Sequence, residues 1–109
     1  MALNFTTNVE QYTTISTRTN TTQFTQYASK KQLANANILD AQALEFVLAI
    51  KNTFSFAVHN NLQYIAITLY YASTKQYGFI VVDLHSRAIA QAESIKQAKL
   101  EILELVNAQ

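Results

Sequence analysis

The sequence predicts a small α+β domain in which an antiparallel sheet packs with two helices. Half of the 109 residues are hydrophobic, which is enough for one buried core. Apolar residues alternate with period two through the middle of the chain, which predicts strands over 54–84. On both sides of that region, at about 30–52 and at 87–107, they recur at helical spacing. We therefore predict one domain over 1–109.

Residues 1–29 form a Thr-rich leader that contains 9 of the 12 threonines and only two charged residues. Thr, Val, Ile, Tyr and Phe favour pleated structure, so we predict two short strands that extend the sheet. They would lie near 9–17 and near 21–27, with a turn around Asn20. A helix is the alternative, because three apolar residues of the leader also suit one helical face: Phe5, Val9 and Tyr12.

The segment 30–52 is predicted to be helical. Ser29 followed by Gln32 fits a capping box, in which the serine side chain accepts from an N–H of the first turn. Apolar residues then follow at helical spacing as far as Leu48. Asp40 could cap a second helix, so the segment is either one helix or two helices separated near 37–39.

A three-stranded antiparallel meander is predicted over 54–84. The stretch 54–58 alternates apolar and small residues, 62–71 is a long strand, and 77–84 returns beside it. The two connections carry turn-forming residues, at 59–61 and 73–76. The predicted core of this meander consists of Ile65, Ile67, Leu69, Ile80 and Val82.

Ser86 is predicted to cap a C-terminal helix, 87–107. Its apolar residues cover close to two-thirds of the helix circumference, well beyond the ~100° that one core contact needs. The second face of the sheet is also apolar, whereas a face in water would carry charged residues. We therefore predict a homodimer that buries both surfaces, since large exposed apolar patches are uncommon on soluble monomers. Its interface residues would be Tyr64, Tyr70, Tyr77, Phe79, Ile89 and Leu100. In the competing account the leader covers the second face and the chain is a monomer.

Composition excludes several kinds of chemistry. The chain has no cysteine, so it has no disulfide, thiolate nucleophile or cysteine-ligated zinc. Its single glycine rules out the glycine-rich loops that hold nucleotide phosphates, and we expect no cofactor. The net charge of +1 gives no long-range attraction for nucleic acid or an anionic membrane.

Asp83 and His85, with Ser86 beside them, form the most suggestive chemical cluster. A carboxylate could orient an imidazole there, at the end of a strand. Adjacent residues cannot build a nucleophilic triad, however, because its side chains must converge from different directions. A metal site would add His59, but the meander could place the two histidines at opposite ends of the sheet. We therefore favour a structural role for Asp83, His85 and His59, and we predict no metal site.

The favoured function is a non-enzymatic interaction module that forms a homodimer and binds another protein. One alternative is a small enzyme or ligand-binding domain with a pocket near Asp83 and His85. Another is a single-stranded nucleic-acid binder that uses the tyrosines of the sheet, although the lysines lie on other elements. No signal-peptide pattern and no apolar run of ~20 residues is present, so we expect a cytoplasmic protein without a membrane partner.

Overall fold

A computed structural model describes residues 23–108. These residues form five strands and three helices in one α+β arrangement. The predicted strand at 9–17 lies outside the described residues. In chain order the elements are β1 (Phe24–Tyr27), α1 (Lys30–Ala36), α2 (Ala41–Leu48), β2 (Thr53–His59), β3 (Tyr64–Tyr71), β4 (Gln76–Asp83), β5 (Ile89–Ala92) and α3 (Ile95–Asn107).

The five strands form a single antiparallel sheet in the order of the chain, β1-β2-β3-β4-β5. The predicted meander is confirmed as β2, β3 and β4, in which Ile67 lies opposite both Phe56 and Ile80. The strand predicted near 21–27 is confirmed as β1, which pairs with β2 along one edge. β5 forms the other edge beside β4.

The first face of the sheet carries the larger core. All five residues predicted for this core are buried. They pack with Phe56 and Val58 of β2 and with Leu33, Ala43 and Val47 of the two N-terminal helices. Because β-strand side chains alternate between faces, this shared burial fixes the register of the three central strands.

α3 covers one end of the second face, next to the start of β3. Ala98 and Ile102 of this helix are buried against Ala57, Ala66 and Val81 of the sheet. Alanine at positions 57 and 66 lets the helix approach the strands closely, while Val81 adds apolar volume beside them. The sheet is thus enclosed by α1 and α2 on one side and by α3 on the other.

The segment predicted as one or two helices over 30–52 forms two helices. The Ser29 side chain caps α1 by accepting from the backbone N–H of Gln32. The first helix ends at Asn37, which adopts a left-handed backbone with φ of 60°. Asp40 then caps α2, accepting from the N–H of Ala43 at 2.8 Å.

The C-terminal helix begins at Ile95, so the predicted start at 87 is wrong. Arg87 adopts a left-handed backbone with φ of 67°. Its N–H donates to the Asp83 carbonyl oxygen, so the chain reverses and continues as β5. The cap is Ser94 rather than Ser86, and it accepts from the N–H of Gln97 at 3.0 Å. None of the three helices in the described part of the chain has both the length and the apolar content needed to cross a membrane.

Candidate functional site

A β-bulge moves Phe54 out of the predicted alternation. Thr53 lies opposite Leu69 and Ser55 lies opposite Thr68, so Phe54 is the extra residue on β2. Such a bulge interrupts the period-two pattern and redirects one side chain. Phe56 is buried on the first face, whereas the ring of Phe54 contacts second-face residues and is 53% exposed. The bulge thus adds an aromatic ring to the second face.

Phe54, Tyr70 and Tyr77 form an aromatic cluster on the second face. Tyr70 and Tyr77 are directly opposite each other on β3 and β4, with ring centroids 4.9 Å apart. The Phe54 ring contacts the Tyr77 ring edge-on, with centroids 5.6 Å apart. It is tilted against the Tyr70 ring, with centroids 6.5 Å apart. These separations and tilts are typical of attractive aromatic pairs. The three rings thus contact one another directly.

The aromatic cluster is exposed because α3 covers only the other end of the second face. Tyr64, at the start of β3, packs with Ile102 and is 7% exposed. Tyr70 lies six residues further along the strand, at the end remote from this helix contact. Tyr77 is 53% exposed, and Phe79 is half-buried between the two ends of the face.

The residues predicted for an interface therefore fall into four environments. Tyr64 belongs to the interior of the single chain, because α3 covers it, and it is not available at a surface. Tyr70, Tyr77 and Phe79 lie at or beside the aromatic cluster, as predicted for neighbours on one face. Ile89 is exposed on the edge strand β5, and Leu100 is half-buried on α3. The prediction missed Phe54, since only a recognised bulge would have placed it here.

Asp83 stabilises the β4–β5 turn. Its Oδ1 atom accepts from the backbone N–H groups of His85, at 2.8 Å, and Ser86, at 3.2 Å. Partial burial raises the pKa of this carboxyl, but hydrogen bonds from His85, Ser86 and Gln63 outweigh burial, so the pKa lies below its ordinary value. The ionised carboxylate is thus satisfied by the turn that it forms.

His59 is buried with both ring nitrogens in hydrogen bonds. Its Nδ1 accepts from the backbone N–H of Asn61 at 3.0 Å, which leaves the proton on Nε2. That Nε2–H donates to Oε1 of Gln23 at 3.0 Å, and the ring of Phe24 packs edge-on at 5.2 Å. A ring held in this way has no nitrogen to offer to a metal or substrate.

Asp83 and His85 line different clefts. The cleft beside α3 has a volume of ≈ 230 Å³ and is mostly apolar, with one carboxylate, that of Asp83. The cleft beside α2 has a volume of ≈ 290 Å³ and contains His85. The α3 cleft is lined by Tyr64, Val81, Asp83, Ala88, Ile89, Ala90 and Leu105. The α2 cleft is lined by Ile38, Leu39, Asp40, Ala43, Asn61, Leu62, Leu84 and His85. Across residues 23–108 no three His, Asp or Glu side chains are grouped to hold a metal ion.

Two basic side chains of the described region lie over aromatic rings, and both are away from the aromatic cluster. The Arg87 guanidinium is 5.6 Å from the ring centre of Phe46, and the Lys99 ammonium is 5.7 Å from that of Phe24. The cluster itself can therefore offer apolar area, ring edges and two phenol hydroxyls.

The chain matches no protein-family model, no curated protein and no solved structure.

Proposed function

We propose that the protein is a cytoplasmic, non-enzymatic interaction module that forms a homodimer and binds another protein through the aromatic cluster. The observation that carries this proposal is the exposure of Phe54 and Tyr77 side by side, at 53% each. The rings contact one another in a fixed arrangement, so binding orders few additional side chains.

The chemistry of the aromatic cluster favours a protein ligand. Tyrosine and phenylalanine are enriched in protein interfaces, and tyrosine is among the residues that most often dominate binding energy. Their apolar area yields about 25 cal/mol per Å² when it leaves water, and the phenol hydroxyls of Tyr70 and Tyr77 can still hydrogen-bond.

Charge argues against single-stranded nucleic acid as the ligand. Base stacking on aromatic rings is normally accompanied by a basic groove that neutralises phosphates. The chain carries 8 Lys and Arg against 7 Asp and Glu, so its net charge is +1. Of these cations, Arg87 and Lys99 lie over other rings. A partner with an apolar surface fits the aromatic cluster better than a polyanion does.

The test compares affinity capture by the wild type, Tyr77→Lys and Tyr71→Lys. Tyr71 is an exposed tyrosine that neighbours Tyr70 but points to the first face, so it is the matched control. We expect a stoichiometric protein partner that the wild type and Tyr71→Lys retain and that Tyr77→Lys loses. Capture of nuclease-sensitive nucleic acid instead, or a partner unaffected by Tyr77→Lys, would contradict the proposal.

A further inference from the structure

We infer that a second copy of this chain pairs antiparallel along the outer edge of β5 and continues the sheet across a twofold axis. The inference rests on the homodimer of the proposed function and names its surface. It places the self-association site on the sheet edge, apart from the aromatic cluster. The cluster then stays available for a different protein.

The hydrogen-bonding pattern shows which backbone groups of β5 face outward. The N–H of Asp83 donates to the carbonyl of Ala88 at 2.9 Å, so these two residues form a hydrogen-bonded pair. Bonded and non-bonded pairs alternate along an antiparallel ladder. In the observed register, Ala90 and Ala92 therefore bond to β4, while the N–H and C=O groups of Ile89 and Gln91 point away from it.

Nothing in the described residues protects this edge. Among residues 23–108, β4 is the strand partner of β5, and the other side of β5 has none. Natural edge strands usually carry a lysine, a proline, an inward-facing charge or a bulge that discourages pairing. The sequence of β5 is Ile-Ala-Gln-Ala, which contains none of these residues. Ile89 is 52% exposed on it.

The edge is complementary to itself in the antiparallel direction. Pairing Ile89 with Gln91 of the second copy uses the outward N–H and C=O groups of both residues, twice over by symmetry. Arg87 precedes the strand and Glu93 follows it. Antiparallel pairing brings Arg87 of one copy, whose guanidinium lies over Phe46 of its own chain, near Glu93 of the other, whereas parallel pairing would bring like charges together.

Apolar side chains beside the edge supply contact area that four hydrogen bonds alone would lack. Leu105 of α3 is 44% exposed on the second face, and Ile89, opposite Val82, is 52% exposed on the first face. A twofold axis perpendicular to the sheet keeps both α3 helices on the same side, next to each other. A stable dimer buries roughly 1,200 Å² or more in total, which requires such contacts in addition to the strand pairing.

An introduced cysteine tests the register of the inferred pairing. The chain contains no cysteine, so any disulfide must form between the introduced residues. In the inferred register Ala90 lies opposite its own counterpart as a non-hydrogen-bonded pair, with Cα atoms about 4.5 Å apart. That separation allows a disulfide. We expect Ala90→Cys to form a covalent dimer under mild oxidation at micromolar concentration. Gln42→Cys, an exposed position on α2, is the matched control and should stay unlinked.

Proline at position 91 tests the inferred hydrogen bond from the Gln91 N–H to Ile89 of the second copy. Gln91→Pro removes an outward N–H that β4 does not use, and edge strands tolerate proline there. Gln91→Ala removes the same side chain but keeps the N–H. By light scattering we expect the wild type and Gln91→Ala to show twice the chain mass of 12.3 kDa, and Gln91→Pro to show the single mass. If Gln91→Pro is unfolded by circular dichroism, Ile89→Lys takes its place with the same expected mass.

The outcomes separate this inference from the proposed function. A dimeric wild type with no Ala90→Cys cross-link, or with a folded Gln91→Pro variant that stays dimeric, overturns the β5 pairing while the proposed homodimer stands. A wild type that is monomeric at micromolar concentration overturns both. A monomer that becomes a dimer on removal of residues 1–22 overturns the inference as well, because the leader would then occupy the edge.

Discussion

The ring of Tyr71 lies over Gly78, the only glycine of the chain. A Cβ atom added at position 78 would be 3.0 Å from Cε2 of Tyr71, which is closer than an ordinary contact. Gly78 is opposite Leu69 on the first face, and Tyr71 is two residues further along β3. The tyrosine thus covers diagonally the space that a side chain at position 78 would otherwise fill, and it compensates for the missing packing of a strand glycine.

Coupling between these two residues should be measurable in a double-mutant cycle. In the wild-type background Gly78→Ala should gain little, because the new methyl group must displace the ring. In the Tyr71→Ala background the same change should stabilise the protein, since the methyl group then fills open space. We expect an interaction free energy of about 0.5–1.5 kcal/mol from urea unfolding. Additive effects within ~0.3 kcal/mol would contradict the packing described here.

Ile67 lies at the centre of the first-face core and should be sensitive to truncation. It is fully buried and paired with Phe56 on one side and Ile80 on the other. Ile67→Ala should lower the free energy of unfolding by about 2–5 kcal/mol, since it removes buried apolar volume and leaves a cavity. Leu62→Ala, at an exposed residue of the β2–β3 turn, is the control and should cost much less. An unchanged thermal midpoint for Ile67→Ala would refute the assigned core.

The two histidines should respond differently to substitution. His59→Ala removes both hydrogen bonds of a buried ring, so we expect a loss of about 1–3 kcal/mol in unfolding experiments. His85→Ala changes an exposed side chain and should stay within about 0.5 kcal/mol of the wild type. Equal losses for the two variants would show that the environments assigned to the rings are incorrect.

Asp83 should make the folding stability of the protein depend on pH in the acidic range. The pKa of its carboxyl is lowered in the folded chain, so ionisation favours folding. The resulting stabilisation is complete above the ordinary pKa of 3.8 and disappears as the pH falls through the lowered folded value. Asp83→Asn keeps a side-chain oxygen acceptor but cannot ionise. The difference in thermal midpoint between wild type and Asp83→Asn should be constant from about pH 5 to 8 and shrink below about pH 4.

A further variant checks the role of the Asp83 side-chain acceptor. Asp83→Ala lacks the acceptor altogether and should be less stable than Asp83→Asn at every pH. A difference between the wild type and Asp83→Asn that widens as the pH falls would mean that the carboxyl is destabilised by ionisation, contrary to the hydrogen bonds observed at the turn.

The central strands could be predicted because burial on one face imposes a strict period. Ile65, Ile67 and Leu69 alternate with second-face residues, and Ile80 and Val82 repeat the pattern on the adjacent strand. The capping box at Ser29 could also be predicted, since its side-chain hydrogen bonds join residues three or four positions apart. These signals depend only on residues that lie near one another in the sequence.

β5 could not be predicted, because its residues suit a helix. Ala88, Ala90 and Ala92 have high helix propensity, and Ile89 continues the apolar pattern of the following helix. The left-handed backbone of Arg87 excludes that residue from a helix, and the residues after it pair with β4 instead. The Ser94–Gln97 pair was the missed signal, since it repeats the spacing of Ser29 and Gln32 and marks the true start of α3.

Candidate site residues were predicted unevenly for the same reason. Tyr70 and Tyr77 follow from strand alternation, but Phe54 depends on a bulge that the alternation hides. The sequence predicts Tyr64 at an interface because no local pattern indicates that α3 packs on this end of the sheet. Its burial is a tertiary effect that no local pattern contains.

The pairing of every strand with its neighbour in the chain has a consequence for folding kinetics. Among residues 23–108, three of the four strand pairings join strands linked by a short turn, so each can form as a hairpin soon after its second strand is available, whereas α1 and α2 separate β1 from β2. The second face is different, because α3 follows all five strands of the described residues. During synthesis, at ~5–20 residues per second, Ala57, Ala66 and Val81 stay uncovered until the helix emerges. The nascent chain therefore exposes the apolar second face of its sheet until α3 packs on it.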